Sequence, residues 1–231
     1  MIFHIPHSSV DTLGKEFLCD LELELERMTD IDTDKLFDHP KATKIIFPIS
    51  RLVCDVERFE DDTHEVMASK GMGVCYTTNS FGKPLRVVTE KERQEIIRDY
   101  YRSHHKRLTK AVEKELESTG RSLIIDCHSF SDIPLPHEES KKMPRPDICI
   151  GTDSFHTPDA LRDWTVDYFR SCGYSVEIND PFSGTLIPMK FYQTDQRVQG
   201  IMIEVNRNLY KDDFVTVQKY IRQLLTQIEV F

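Results

Sequence analysis

Short apolar runs alternate along the chain with longer stretches in which apolar residues recur every third or fourth position. The runs are MIFHI (1–5), KIIFPIS (44–50), RLVCDVE (51–57), SLIID (122–126), DICIG (147–151), YSVEI (174–178) and GIMIEV (200–205). They predict β-strands. Several are continuously apolar, as expected of central strands covered on both faces. Between them lie helical patterns. Thr89 with Glu92 forms a capping box that opens a long helix, whose apolar stripe carries Ile97, Tyr100, Tyr101, His104, Leu108, Ala111, Val112 and Leu116. Thr157-Pro158 starts a second helix that Gly173 stops, and Phe214, Val217, Ile221, Leu224, Leu225 and Ile228 mark a third. A shorter helix is expected over 30–37. Strands alternating with helices predict an α/β fold, a three-layer α/β/α sandwich around a mixed, largely parallel sheet.

The segment 131–147, SDIPLPHEESKKMPRPD, breaks this rhythm. A long irregular loop directly after a strand suits an active-site or binding loop. Within it, His137 to Glu139 read as a solvated stretch.

With 231 residues, the chain suits one domain, 1–231, with a sizeable core. The net charge of -9 argues against nucleic acid or an anionic membrane as a main partner. No run is long enough to span a bilayer. The opening MIFHIPHSSV has no basic, signal-like region, and the six cysteines form no CxxC pair. Both features lead to the expectation of a cytoplasmic protein with reduced thiols. Nothing in the sequence sets an oligomeric state.

Three strand exits carry polar residues of metal-site type: His7 after the first run, Asp126 and His128 after the fourth, and Glu204 within the last. Such exits are where α/β sheets gather their functional groups. Two imidazoles and a carboxylate can hold a catalytic zinc, and a further carboxylate can act as a base. Each residue also has a plainer reading. His7 can be a turn residue, His128 a structural neighbour of Asp126, and Glu204 half of a buried salt bridge. His4 and His104 read as core residues. Alternation along the strand turns Cys127 away from His128.

Taken in order, HIPHSS, MTDID, SRLVCDVERFEDD, IIDCHSF, DICIGT, PFSGTLI and IMIEVNRNLY resemble the motifs of the N-formylglutamate amidohydrolase family. The resemblance implies a phosphorylase/hydrolase-like fold related to zinc carboxypeptidases. It also implies metal-dependent hydrolysis of an amide C–N bond in an N-formyl or N-acyl amino-acid derivative, a small molecule carrying a carboxylate. It assigns His7, His128 and Asp30 to a Zn2+ or other divalent metal, with Asp32 and Asp34 as rivals of Asp30. Glu204 becomes the general base, with Asp126 supporting His128. Arg58 and Arg51 become candidate carboxylate binders, and Ser183-Gly184 a close backbone approach to substrate. One departure stands out: Glu57 precedes Arg58 where the family usually has asparagine. An ionised glutamate facing the pocket would repel a substrate carboxylate or neutralise Arg58, and one pointing away would do neither. Two other classes stay open: a carboxypeptidase-like or cell-wall-type amidase on the same scaffold, and a non-catalytic binding protein.

Overall fold

The computed structural model describes residues 1–228. Six strands form one sheet: β1 (Ile2–Ile5), β2 (Thr43–Ile46), β3 (Ser122–Phe130), β4 (Ile148–Gly151), β5 (Val176–Ile178) and β6 (Val198–Asn206). Their order is β2-β1-β3-β6-β4-β5. All neighbours run parallel except β4 and β6, which are antiparallel. The expected mixed, mostly parallel sheet is therefore present. β3 and β6 outrun the apolar stretches that predict them because they pair with each other along their whole length, Ser122 with Val198 through Phe130 with Asn206.

The helices are α1 (Leu21–Met28), α2 (Thr33–Leu36), α3 (Glu90–Ile96), α4 (Arg102–Thr119), α5 (Asp159–Ser171), α6 (Arg207–Asp212) and α7 (Phe214–Ile228). On one face of the sheet, Phe3, Ile5, Ile125, Cys127, Ile201 and Ile203 pack with apolar residues of α5 and α7. On the other, Ile2, Ile124 and Val198 pack with Leu108 and Val112 of α4. No helix among the described residues is long and apolar enough to cross a membrane.

Three expectations change. RLVCDVE is not a strand. Its amides bond within turns, Val53 and Cys54 to the Ser50 carbonyl and Asp55 to that of Val74. Val53, Cys54 and Val56 fill a separate cluster with Phe47, Val74 and Ile96, and Leu52 packs in another with Met72 and Tyr76. The helix over 30–37 shrinks to α2, because Asp32 adopts a left-handed φ of 59° that interrupts it. The long helix opens at Thr89 as its capping box predicts, with the Thr89 hydroxyl accepting from the Glu92 amide. It then widens into a π-helical turn at Ile97–Tyr101 before α4 begins.

Gly151, the last residue of β4, is required by close packing. A Cβ there would collide with the Gly184 carbonyl oxygen and the Met202 side chain. Gly151→Ala is expected to cost about 1–3 kcal/mol, the usual penalty for overpacking. Chemical denaturation checks this, and an unchanged midpoint would show that the Gly184 turn yields freely.

Candidate functional site

Strand alternation sorts the polar residues of the central strands. In β3, Asp126 and His128 share a face with Ile124, while Ile125 and Cys127 point into the opposite apolar layer. Parallel pairing sets Glu204 of β6 directly beside His128. His4 and Asp126 are likewise paired across β1 and β3. His7 follows β1, and the Asp30 amide donates to the His7 carbonyl at 3.0 Å, which brings the segment between α1 and α2 to the same edge.

Each of the two central histidines is backed by a buried aspartate. His7 Nε2 donates to Asp55 Oδ1 at 2.9 Å, and its Nδ1 is buried with no hydrogen-bond partner among the described residues. His128 Nε2 lies 3.1 Å from Asp126 Oδ1, and its Nδ1 lies 3.1 Å from Asp30 Oδ2. The same Asp30 oxygen is 3.7 Å from His7 Nδ1. Ionised carboxylates only accept, so Asp55 fixes a proton on His7 Nε2 and leaves His7 Nδ1 facing the cluster, while His128 meets carboxylates at both ring nitrogens. The two rings are 5.1 Å apart.

Asp30 is held in turn by Arg207, whose Nη2 lies 3.4 Å from Asp30 Oδ1 while Nη1 donates to the Glu26 and Arg27 carbonyls. Burial works to raise the Asp30 carboxyl, but the hydrogen bond from His128 and the nearby His7 imidazole hold it far below the usual carboxylate range. Burial alone would disfavour a charged His128. The carboxylates of Glu57, Asp126 and Asp30 overcome this and hold its pKa well above the ordinary value. Asp32 and Asp34 are turned to other uses. Asp32 pairs with Lys35, and the Asp34 carbonyl accepts from Lys44.

Glu57 faces the cluster. Its Oε1 is 3.0 Å from His128 Nε2 and its Oε2 is 3.7 Å from His7 Nδ1. His7, Glu57 and His128 each offer one ligand atom within 4.8 Å of the others. Glu204 is buried, and its Oε2 has no partner among the described residues. Burial pushes its carboxyl up to about 8, with Asp30 and Glu57 adding to the effect and His128 opposing it.

These groups form one wall of a cavity of about 340 Å³. Arg51, Arg58, Arg207 and Ser183 also line it; Gly184 does not, and adopts φ 88° in the adjoining turn. Arg51 Nη2 donates to Asp55 Oδ2 at 2.9 Å and lies 3.3 Å from the Tyr76 hydroxyl. Arg58 donates from Nε to the Met72 carbonyl at 3.3 Å, and no hydrogen bond among the described residues uses its Nη atoms. The irregular segment 131–147 closes the far side with Leu135, His137, Glu138 and Glu139. His137 to Glu139 therefore line the cavity, with His137 and Glu138 partly buried and Glu139 still exposed to solvent as expected. Arg145 anchors this loop: it pairs with Glu138, donates to the Ser131 carbonyl at 2.8 Å and lies over Phe130 and Phe182.

Sequence reasoning missed the residues behind the cluster. His4 Nδ1 donates to Asp126 Oδ1 at 2.7 Å, and its Nε2 lies 2.9 Å from His104 Nε2. The Tyr76 hydroxyl donates to Asp55 Oδ2 at 2.5 Å. An imidazole in a continuously buried strand was the available signal for His4, since buried polar atoms need partners. Nothing local marks Tyr76.

A family model described as N-formylglutamate amidohydrolase matches residues 1–211. A relative named N-formylglutamate deformylase, from Pseudomonas putida, is 24% identical over 194 residues, covering 80% of this chain and 71% of that protein. The crystal structure of N-formylglutamate amidohydrolase from Ralstonia eutropha JMP134 superposes with a TM-score of 0.82 at 22% identity, covering 98% of this chain and 91% of that one. A gene product of Agrobacterium tumefaciens gives 0.68 at 18% identity, covering 99% and 91%.

Proposed function

Because the chain belongs to the N-formylglutamate amidohydrolase family and is an enzyme acting on an amide bond, we propose that it is a metal-dependent hydrolase of N-formyl or N-acyl amino acids. The observation that carries this reading is the pair of buried, aspartate-backed histidines set against a shared group of carboxylates, Asp30 and Glu57. The donor set suits zinc, with two imidazoles and an oxygen ligand. His7 and His128 would hold the ion with Asp30, and Glu57 is within reach as a further oxygen donor. The unpartnered His7 Nδ1 supports the fit, as does the surplus of carboxylate that draws a proton onto His128. Bound there, a divalent cation would polarise the scissile carbonyl and make water acidic enough to react near neutral pH.

The chain's own groups do the rest. Glu204, buried and poised near neutrality, takes the proton of the attacking water at a carboxylate oxygen and delivers it to the leaving nitrogen. Asp55 and Asp126 keep the two imidazoles in one tautomer. Arg58 offers its terminal nitrogens to the substrate carboxylate, and Arg51, tied to Asp55, adds positive field beside it. The 131–147 loop screens the site from bulk water. Buried free thiols at Cys54, Cys75, Cys127 and Cys149 suit a reducing compartment such as the cytoplasm.

The test is metal analysis of protein purified without added metal, followed by hydrolysis of an N-formyl amino-acid panel. About one divalent ion per chain and chelator-sensitive turnover are expected. No bound metal, and no rate with added zinc, would favour a binding role instead.

A further inference from the structure

Beyond Glu57 and Arg58 lies a second chamber of about 210 Å³ that shares these two residues with the catalytic cavity. Its lining is otherwise mostly apolar, with Val56, Tyr101, Leu186, Ile187, Met189 and Tyr192. At its rim three large apolar side chains stand open to solvent: Phe59 at 49% exposure, Met189 at 68% and Tyr192 at 37%. Exposed apolar groups gathered at the mouth of a pocket mark a binding site more often than exposed groups scattered singly. The wall is rigidly built. The Tyr101 hydroxyl donates to the Arg58 carbonyl at 2.8 Å, and His105 Nε2 donates to the Val56 carbonyl at 2.9 Å. Both residues project from the π-helical turn and the start of α4, so the widened helix braces the segment carrying Glu57 and Arg58.

Resting on the amidohydrolase reading above, we propose that this chamber receives the side chain of the N-acyl amino acid, and that the side chain is large and apolar. A substrate carboxylate held at Arg58 sits on the boundary between the two cavities. The amide then points toward the His7, His128 and Glu204 side, and the side chain passes to the other. Glu57 shares this boundary but turns its carboxylate to His128 and His7, and apart from Arg58, which holds the first carboxylate, the chamber lining offers no lysine or arginine to a second one, such as that of a glutamate side chain. Apolar lining beyond the boundary, with no second lysine or arginine in it, selects against glutamate and for phenylalanine or leucine.

The experiment compares N-formylglycine, N-formylglutamate, N-formylleucine and N-formylphenylalanine on the metal-loaded enzyme and on Met189→Trp, which narrows the chamber mouth at an exposed position. The expected result is a kcat/KM for the apolar substrates about 10-fold or more above that for N-formylglutamate. Met189→Trp is expected to remove the apolar advantage, read as the ratio of kcat/KM for N-formylphenylalanine to that for N-formylglycine. Equal or better use of N-formylglutamate, or an apolar preference that survives Met189→Trp, overturns the proposal. Titration of L-phenylalanine and L-glutamate into the wild-type protein reads the chamber without turnover. If no formyl compound is hydrolysed, the amidohydrolase reading fails, and the order of product binding still decides the chamber. Tighter phenylalanine binding supports it, and tighter glutamate binding ends it.

Discussion

His128→Ala is expected to lose both the bound divalent ion and all measurable hydrolysis. The imidazole joins the two halves of the site: it bonds Asp126 within its own strand and reaches Asp30 from the segment between α1 and α2. Alanine removes a donor from the proposed metal set and the positive partner of several buried carboxylates. Asp30 and Asp126, now held far below their ordinary range by histidine contacts working against burial, would lose much of that support. Carboxylates left buried without a partner take up protons, and a protonated acid is a poor ligand. Metal content by elemental analysis and initial rates on an N-formyl amino acid are the measurements. A variant that kept stoichiometric metal and full turnover would remove His128 from the site.

Glu204→Gln separates binding from chemistry. The amide keeps the shape and much of the polarity of the acid but cannot take a proton from water. Metal content and KM are expected to stay close to wild type, while kcat falls by about 10²–10⁴-fold, the usual range for a general acid or base. Loss of metal together with rate would instead make Glu204 a ligand. An unchanged kcat would place the base elsewhere. The residue's setting favours the first outcome, since its buried Oε2 has no partner among the described residues and the carboxyl is raised to about 8.

The strands that carry the chemistry were legible because burial on two faces demands continuous apolar sequence. A histidine or glutamate at the exit of such a run then stands out as a cost that needs a use. Alternation also told Asp126 and His128 apart from Cys127 without coordinates. The same pattern misled at RLVCDVE. Its apolar residues are equally buried, but within a cluster of turns, and a short apolar run carries no mark of which backbone will receive its hydrogen bonds. His4 went unread for a related reason: alternation correctly placed it inside, but its partners, Asp126 and His104, lie about a hundred residues away.

By itself, the amino-acid order determined the α/β layering, the strand exits at which polar groups emerge and the family to which those groups are similar. The layering and the strand exits follow from local periodicity and from side chains a few positions apart, and the family similarity from the order of whole motifs along the chain. Only the tertiary structure decided that Glu57 faces the histidines, that Asp30 rather than Asp32 or Asp34 enters the cluster, that His137 to Glu139 line the cavity and that a second chamber opens behind Arg58. Each of these depends on where one irregular segment packs against another. Such packing is set by shape and charge between residues far apart in the chain, and no spacing along the chain encodes it.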